Sequence, residues 1–406
     1  MTQTPDMERL VRNWLDTQAP PVAPADLLES VMTATARTRQ QPAWLPRFEM
    51  PPGAWVPTRA VLALTLLALL AAVAVGTLVV LSQPPAPPSV RYENGLVAFV
   101  QDRDVYTMNA DGSGRRQLTS TPLSDELYLS WSPDGRRLAY VRCVRSAAQC
   151  EQDYYGQGPI LAVDAGGGPE VQLVPAPTDW ISAMAWSPDG TRIAYLHDRP
   201  GILSVTNLAG GASVDLLSGV GSFAWSPDGM RVVVSAQTSA SSGPDWRMAL
   251  FTIDLKTDTT SQLTDGSDVE LYVSGWSPDG ASISFTRAEA VKNGPWRIES
   301  IGADGTDRRV LNENVAEGAP GIWSPDGSRL AFTDFDGTFS IAVMEADGSG
   351  LRTVRRDASL LGWSPDGQFL VARDLGREQF VIIRADGSGG RVLGDVLDIA
   401  WQARPR

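Results

Sequence analysis

The five residues Trp-Ser-Pro-Asp-Gly occur six times in this chain, starting at Trp131, Trp186, Trp225, Trp276, Trp323 and Trp363. A seventh position keeps only the tryptophan, Trp401. The intervals run from 38 to 55 residues. A unit of that length cannot bury its own apolar face, so successive copies must stack on one another. A period of about 40–50 residues, dense in turn signals, points to four strands per copy. That is the blade of a β-propeller.

Each residue of the pentapeptide has a task. The Ser hydroxyl caps the turn, Pro fixes φ near −65°, Asp bonds the local backbone, and Gly accepts a positive φ at the exit. Such a turn joins adjacent antiparallel strands. The strand before it ends in Trp, as in Ile181–Trp186 and Leu271–Trp276. The strand after it is short and β-rich, as in Leu138–Val141 and Ile193–Leu196. A third strand ends in a second tight turn, with Asp-Gly at Asp111, Asp304, Asp347 and Asp386. A fourth short strand completes the unit.

The two ends of the array fit together. Leu96–Val100, Val105–Met108 and Arg116–Thr119 supply strands two to four of a blade that lacks its first strand. Leu397–Trp401 supplies a first strand with nothing after it. Joining them gives seven blades and removes two exposed sheet edges. Six blades, with one irregular repeat outside the ring, is the alternative.

The Trp-Ser-Pro-Asp-Gly turn, the Leu138-Ala139-Tyr140 and Ile193-Ala194-Tyr195 strands, and the run Met108–Gly114 followed by Arg115–Thr119 resemble the TolB-type, WD-repeat-like propeller family. The resemblance covers about residues 94–402. It implies bacterial extracytoplasmic propellers that bind proteins, and also non-catalytic propellers that gate attached peptidases.

Upstream of the repeats, residues 60–81 form 22 residues without a charge. At about 1.5 Å per residue they span a hydrocarbon core of roughly 30 Å as one transmembrane helix. Arg37, Arg39, Arg47 and Arg59 precede the span and only Arg91 follows closely, which puts the N-terminus in the cytoplasm and the repeats outside. The predicted organisation is a cytoplasmic helical tail (1–59), the span (60–81), a Pro-rich linker (82–92) and an extracytoplasmic propeller (93–402). In the tail, Met7, Leu10, Val11, Trp14 and Leu15 share one helical face, so residues 1–40 offer a surface to a cytoplasmic partner. The layout is similar to that of transmembrane anti-sigma factors.

The net charge of −13 carries no basic stripe, which argues against a nucleic-acid partner. Histidine occurs once, as His197, and no Gly-x-Ser-x-Gly elbow is present, so no catalytic residue is assigned. No His/Cys set suits a metal, and no cofactor is implied. Asp334-Phe335-Asp336-Gly337 has the start of a calcium loop without its remaining acidic positions. The only cysteines, Cys143 and Cys150, flank one long loop and suit a disulfide in an oxidising compartment.

Loops between strands two and three, and between blades, vary in length, and variable loops on a rigid scaffold are where binding sits. The candidate partner-binding residues are Tyr154, Tyr155, Trp180, Trp246 and Trp296. The function expected is that of a non-catalytic, membrane-tethered binding propeller of the bacterial envelope. The alternatives are a transmembrane signalling regulator with a propeller sensor, and a propeller hydrolase or lactonase.

Overall fold

The computed structural model describes residues 92–405 apart from 122–123, 144–157, 176–179, 198–200, 239–246, 269, 289–295, 395 and 397. The predicted tail, span and nearly all of the linker lie outside those residues. Among the described residues no helix is long and apolar enough to cross a membrane.

The described chain is all β. It enters with β1 (Tyr92–Gln101), β2 (Asp104–Asn109) and β3 (Arg116–Gln117), then builds six consecutive blades. Blade one holds β4 (Asp125–Trp131), β5 (Arg137–Cys143), β6 (Ile160–Asp164) and β7 (Val171–Val174). Blade two holds β8 (Ile181–Trp186), β9 (Arg192–His197), β10 (Ile202–Asn207) and β11 (Val214–Ser218). Blade three holds β12 (Val220–Trp225), β13 (Arg231–Gln237), β14 (Met248–Asp254) and β15 (Thr259–Gln262). Blade four holds β16 (Leu271–Trp276), β17 (Ser282–Ala288), β18 (Trp296–Gly302) and β19 (Arg309–Val315). Blade five holds β20 (Ile322–Trp323), β21 (Arg329–Phe335), β22 (Phe339–Glu345) and β23 (Arg352–Arg356). Blade six holds β24 (Ala358–Trp363), β25 (Phe369–Asp374), β26 (Gln379–Arg384) and β27 (Gly390–Gly394). The last strand, β28 (Ile399–Pro405), pairs antiparallel with β1, and blade seven runs β28-β1-β2-β3.

The ring is therefore seven-bladed and closed by its two ends. The apolar clusters show the same closure, because each joins two neighbouring blades. Val97, Phe99 and Met108 pack on Val371, Phe380 and Ile382 of blade six. Ala98, Val100 and Val105, one pleat over, pack on Trp131, Leu138 and Tyr140 of blade one. The period-two alternation of β1 thus serves two interfaces at once.

The six repeat turns are built alike. In the first, Gly135 N–H donates to Ser132 O at 2.8 Å, Ser132 Oγ donates to Asp134 Oδ1 at 2.6 Å, and Arg137 N–H donates to Ser132 Oγ at 2.9 Å. The turn glycines hold φ between 66° and 72°, where a side chain is strained. Blade seven lacks the pentapeptide, and Gln402 takes its place. Its Oε1 accepts Leu96 N–H at 2.7 Å, as Ser132 accepts Arg137 N–H, and its Nε2 donates to Gly135 O in blade one.

Five repeat tryptophans lock each blade to the one before it. Trp131, Trp186, Trp225, Trp276 and Trp363 donate Nε1–H to Ala400, Ser130, Ala185, Ala224 and Ile322 carbonyls at 2.9–3.3 Å. An arginine of the previous blade, six residues after its own tryptophan, covers three of these rings. Arg192 lies 5.1 Å over Trp225, Arg231 lies 4.7 Å over Trp276, and Arg329 lies 4.9 Å over Trp363. For Trp401 that place belongs to Phe369, stacked at 6.3 Å. For Trp323 it belongs to Ser282, and the Trp323 Nε1 is buried without an acceptor.

This last boundary departs from the others. β20 is only two residues long, and β19 continues into a bridge between Val315 and Asp334 of β21. Ala316 N–H donates to Thr333 O at 3.0 Å. Blades four and five thereby share one continuous sheet. Pro320 has no amide hydrogen for a ladder and Gly318 turns at φ 63°, so the chain joins the inner position late.

Candidate functional site

The turns joining strands one to two and three to four lie on one face of the disc, and they are short and uniform. The links between strands two and three, and from blade to blade, lie on the other. This loop face is where the predicted binding residues belong.

The structure divides those residues. Tyr154, Tyr155 and Trp246 lie outside the described residues. Trp180 is half-buried just before β8 and makes contacts there. Trp296 is not an exposed loop residue. It opens β18, is 7% exposed, and stacks on Tyr272 with ring centroids 5.7 Å apart. Its indole face is used inside blade four. Cys143 closes β5, fully buried and disulfide-bonded, and Cys150 lies outside the described residues.

Exposed aromatics do occur on this face, at other positions. Tyr272 is 40% exposed, Phe335 44% and Phe339 43%. Phe335 and Phe339 are cross-strand partners at the β21–β22 hairpin, with centroids 4.9 Å apart. The hairpin tip contains the Asp334–Gly337 sequence. Asp336 Oδ1 accepts Thr338 N–H at 3.4 Å, so this carboxylate shapes a turn.

Beneath the loop face lies a set of buried charged groups, placed by one repeat position. Eleven residues after five of the six pentapeptide tryptophans stand Arg142, His197, Arg287, Asp334 and Asp374, with Ala236 at that place in blade three. Arg142 reaches Glu126 at 3.2 Å and Glu170 at 2.5 Å. Glu126 is fully buried and accepts Thr121 Oγ1–H at 2.6 Å. Loss of hydration outweighs these partners and raises its carboxyl to about 7. Arg287 holds Glu299 at 2.5 Å and Asp268 at 3.3 Å, and Arg308 approaches the same two acids at 2.7 and 3.8 Å. Burial raises Asp268 even so. Arg355 pairs with Asp374. The Arg142 and Arg287 pairs tie together the loop-bearing strand ends of blades one and four, and the Arg355–Asp374 pair ties β23 of blade five to β25 of blade six.

His197 ends β9 and is engaged rather than free on a loop. Its Nε2 lies 2.8 Å from Ser204 Oγ, and Ser204 donates to Asp215 Oδ1 at 2.5 Å. The acid bonds the serine, whereas a nucleophilic triad needs the acid on the far imidazole nitrogen. Among the described residues no group of three or more His, Cys, Asp or Glu could hold a metal ion. An open hollow of about 600 Å³ lies on the turn face, lined by Asp134, Arg136, Asp164, Gln402 and Arg404 at the ring closure.

Comparison with known proteins agrees with this architecture. Residues 144–389 match the TolB beta propeller domain family. The chain is 34% identical over 112 residues to the Tol-Pal system protein TolB of Anaeromyxobacter dehalogenans (strain 2CP-C), covering 25% of each chain. It therefore spans about a quarter of the length of that relative. Among solved structures, the tricorn protease superposes with a TM-score of 0.59 at 11% identity, over 79% of this chain and 36% of that one. An oligogalacturonate lyase in complex with manganese superposes with a TM-score of 0.55 at 16% identity, over 75% and 85%. At such identities these two likenesses concern the fold alone. Six Trp-Ser-Pro-Asp-Gly turns, a ring closed through β28 and β1, and a family match over most of that ring together place this chain in the TolB beta propeller domain family.

Proposed function

We propose that the chain is a non-catalytic binding propeller, tethered to the cytoplasmic membrane by residues 60–81, with a loop face that takes a protein of the bacterial envelope. The observation that carries this reading is the contrast between the two faces. One is tiled with near-identical turns; the other carries loops of unequal length and exposed aromatic rings on ends of strands braced by ion pairs. Rigid support beneath variable, aromatic loops is the arrangement of a binding surface. The Pro-rich segment 82–92 holds this surface off the lipid. A Cys143–Cys150 disulfide pins the longest loop, which carries Tyr154 and Tyr155.

The test is photo-crosslinking in intact cells. Benzoylphenylalanine replaces Tyr154 or Trp246 on the loop face, and Met230 or Leu351 on the turn face. The expected result is one envelope protein captured from the loop positions and absent from the turn positions. Equal capture from both faces, or none from the loop face, contradicts the proposal.

A further inference from the structure

The boundary between blades four and five carries a surface that the repeat pattern does not explain. Tyr272 stacks on Trp296, Trp296 pairs across strands with Val315, Val315 bridges to Asp334, and the next residue, Phe335, pairs with Phe339. These contacts cross β16, β17, β18, β19, β21 and β22, which form one unbroken sheet. The loop-face rim of this sheet forms a ledge, with Tyr272 lying against Gly318 of the link that follows β19. Three rings on it are exposed, Tyr272, Phe335 and Phe339.

The ledge is rimmed by acid. Glu270 and Glu317 are exposed and close enough to Tyr272 to oppose ionisation of its phenol, after burial as the main cause. Asp336 is exposed at the hairpin tip, and its charge adds to the burial that raises Asp334. Arg356 approaches Asp336 at 3.9 Å. Glu270 and Glu317 form no ion pair among the described residues.

We propose that this ledge is the docking surface for an extended segment of a partner protein that alternates apolar side chains with Lys or Arg. The inference rests on the reading that the loop face binds protein, and it specifies where and by what chemistry. Rings spaced along a sheet rim take apolar residues, and the carboxylates beside them take the intervening cations. A nucleic acid or an acidic peptide is repelled by the same rim.

The test uses the full chain and a fluorescein-labelled nine-residue peptide alternating Arg and Leu, read by anisotropy. A peptide with Glu in place of Arg is the comparison. Binding of the Arg-Leu peptide is expected to fall at least tenfold in the Phe335→Ser/Phe339→Ser variant. It is expected to fall several-fold, and to lose much of its salt dependence, in Glu317→Gln/Asp336→Asn, which leaves the rings in place. A Met230→Ser/Leu351→Ser control on the turn face is expected to bind within twofold of the parent. The ledge is refuted if the parent does not bind, if the Glu-Leu peptide binds equally, or if both ledge variants bind within twofold of the parent. If that happens while Tyr154 or Trp246 still crosslinks a protein, the ledge is wrong and the loop-face reading stands. If crosslinking fails as well, both are wrong.

Discussion

Glu126 makes the stability of the propeller depend on pH in a direction opposite to most carboxylates. Its side chain is fully buried at the start of β4, facing Thr121, Arg142 and, at longer range, Asp104. Its carboxyl titrates near 7 in the folded chain against an ordinary 4.5, because lost hydration exceeds what Thr121 and Arg142 return. A folded carboxyl that holds its proton more tightly than the unfolded one favours folding at low pH. That advantage is lost as pH rises from about 4.5 to about 7. The difference between about 7 and 4.5 corresponds to at most about 3.4 kcal/mol. Glu126→Gln keeps the shape and one hydrogen bond and removes the titration. Urea unfolding of parent and variant at pH 4.5, 6, 7 and 8 isolates this group by difference. The variant's stability relative to the parent is expected to rise by about 3 kcal/mol from pH 4.5 to 8, with nearly all of the change complete by pH 7.5. A difference flat to within about 0.5 kcal/mol refutes the argument. It would mean that Arg142 and Thr121 restore all that burial removes.

Two further expectations concern the ring. Gln402→Ala leaves the part-buried Leu96 N–H and the buried Gly135 carbonyl without these partners, so unfolding is expected to cost about 1–3 kcal/mol less, with the Leu96 amide exchanging faster; unchanged exchange at Leu96 would contradict this. Trp276→Phe loses the bond to Ala224 O and weakens the Arg231 contact, whereas Trp323→Phe loses an N–H that has no acceptor. The first is expected to destabilise by at least about 1 kcal/mol more than the second in urea unfolding, and equal losses would refute the distinction.

Much of the fold was legible because each pentapeptide residue has a separate local task. Ser, Pro, Asp and Gly each satisfy one requirement of the same turn, and the spacing of tryptophans follows from the length of a blade. Closure was legible because the first strand-like segment and the last one each lacked a neighbour. The substitute cap was not. Nothing in the residues after Trp401 shows that Gln402 reproduces a serine's bond to a strand 306 residues away. The short β20 was hidden in the same way, since the effect of Pro320 depends on where β19 goes.

The site was less legible. Trp296 beside a long loop suggested an exposed anchor, but register places it against Tyr272 and buries it. The exposed rings of Phe335 and Phe339 flank a strand two-to-three link of only three residues, where loop length gave no signal. The position eleven residues after five of the pentapeptide tryptophans was a usable clue. Charged or polar side chains recur there, at Arg142, His197, Arg287, Asp334 and Asp374, in strands otherwise apolar. Its meaning became clear only once their acidic partners on neighbouring strands were in view.

The account rests on a ring whose first and last described strands are neighbours. Glu93 of β1 and Arg404 of β28 are register partners and both are exposed. Cα atoms so paired lie about 4.5–5.5 Å apart, within the span of a disulfide. The Glu93→Cys/Arg404→Cys chain, oxidised while folded and mapped by mass spectrometry, is predicted to carry an intramolecular 93–404 crosslink that fails to form in urea. A folded chain that forms only intermolecular links, or none, would contradict the closed seven-bladed ring.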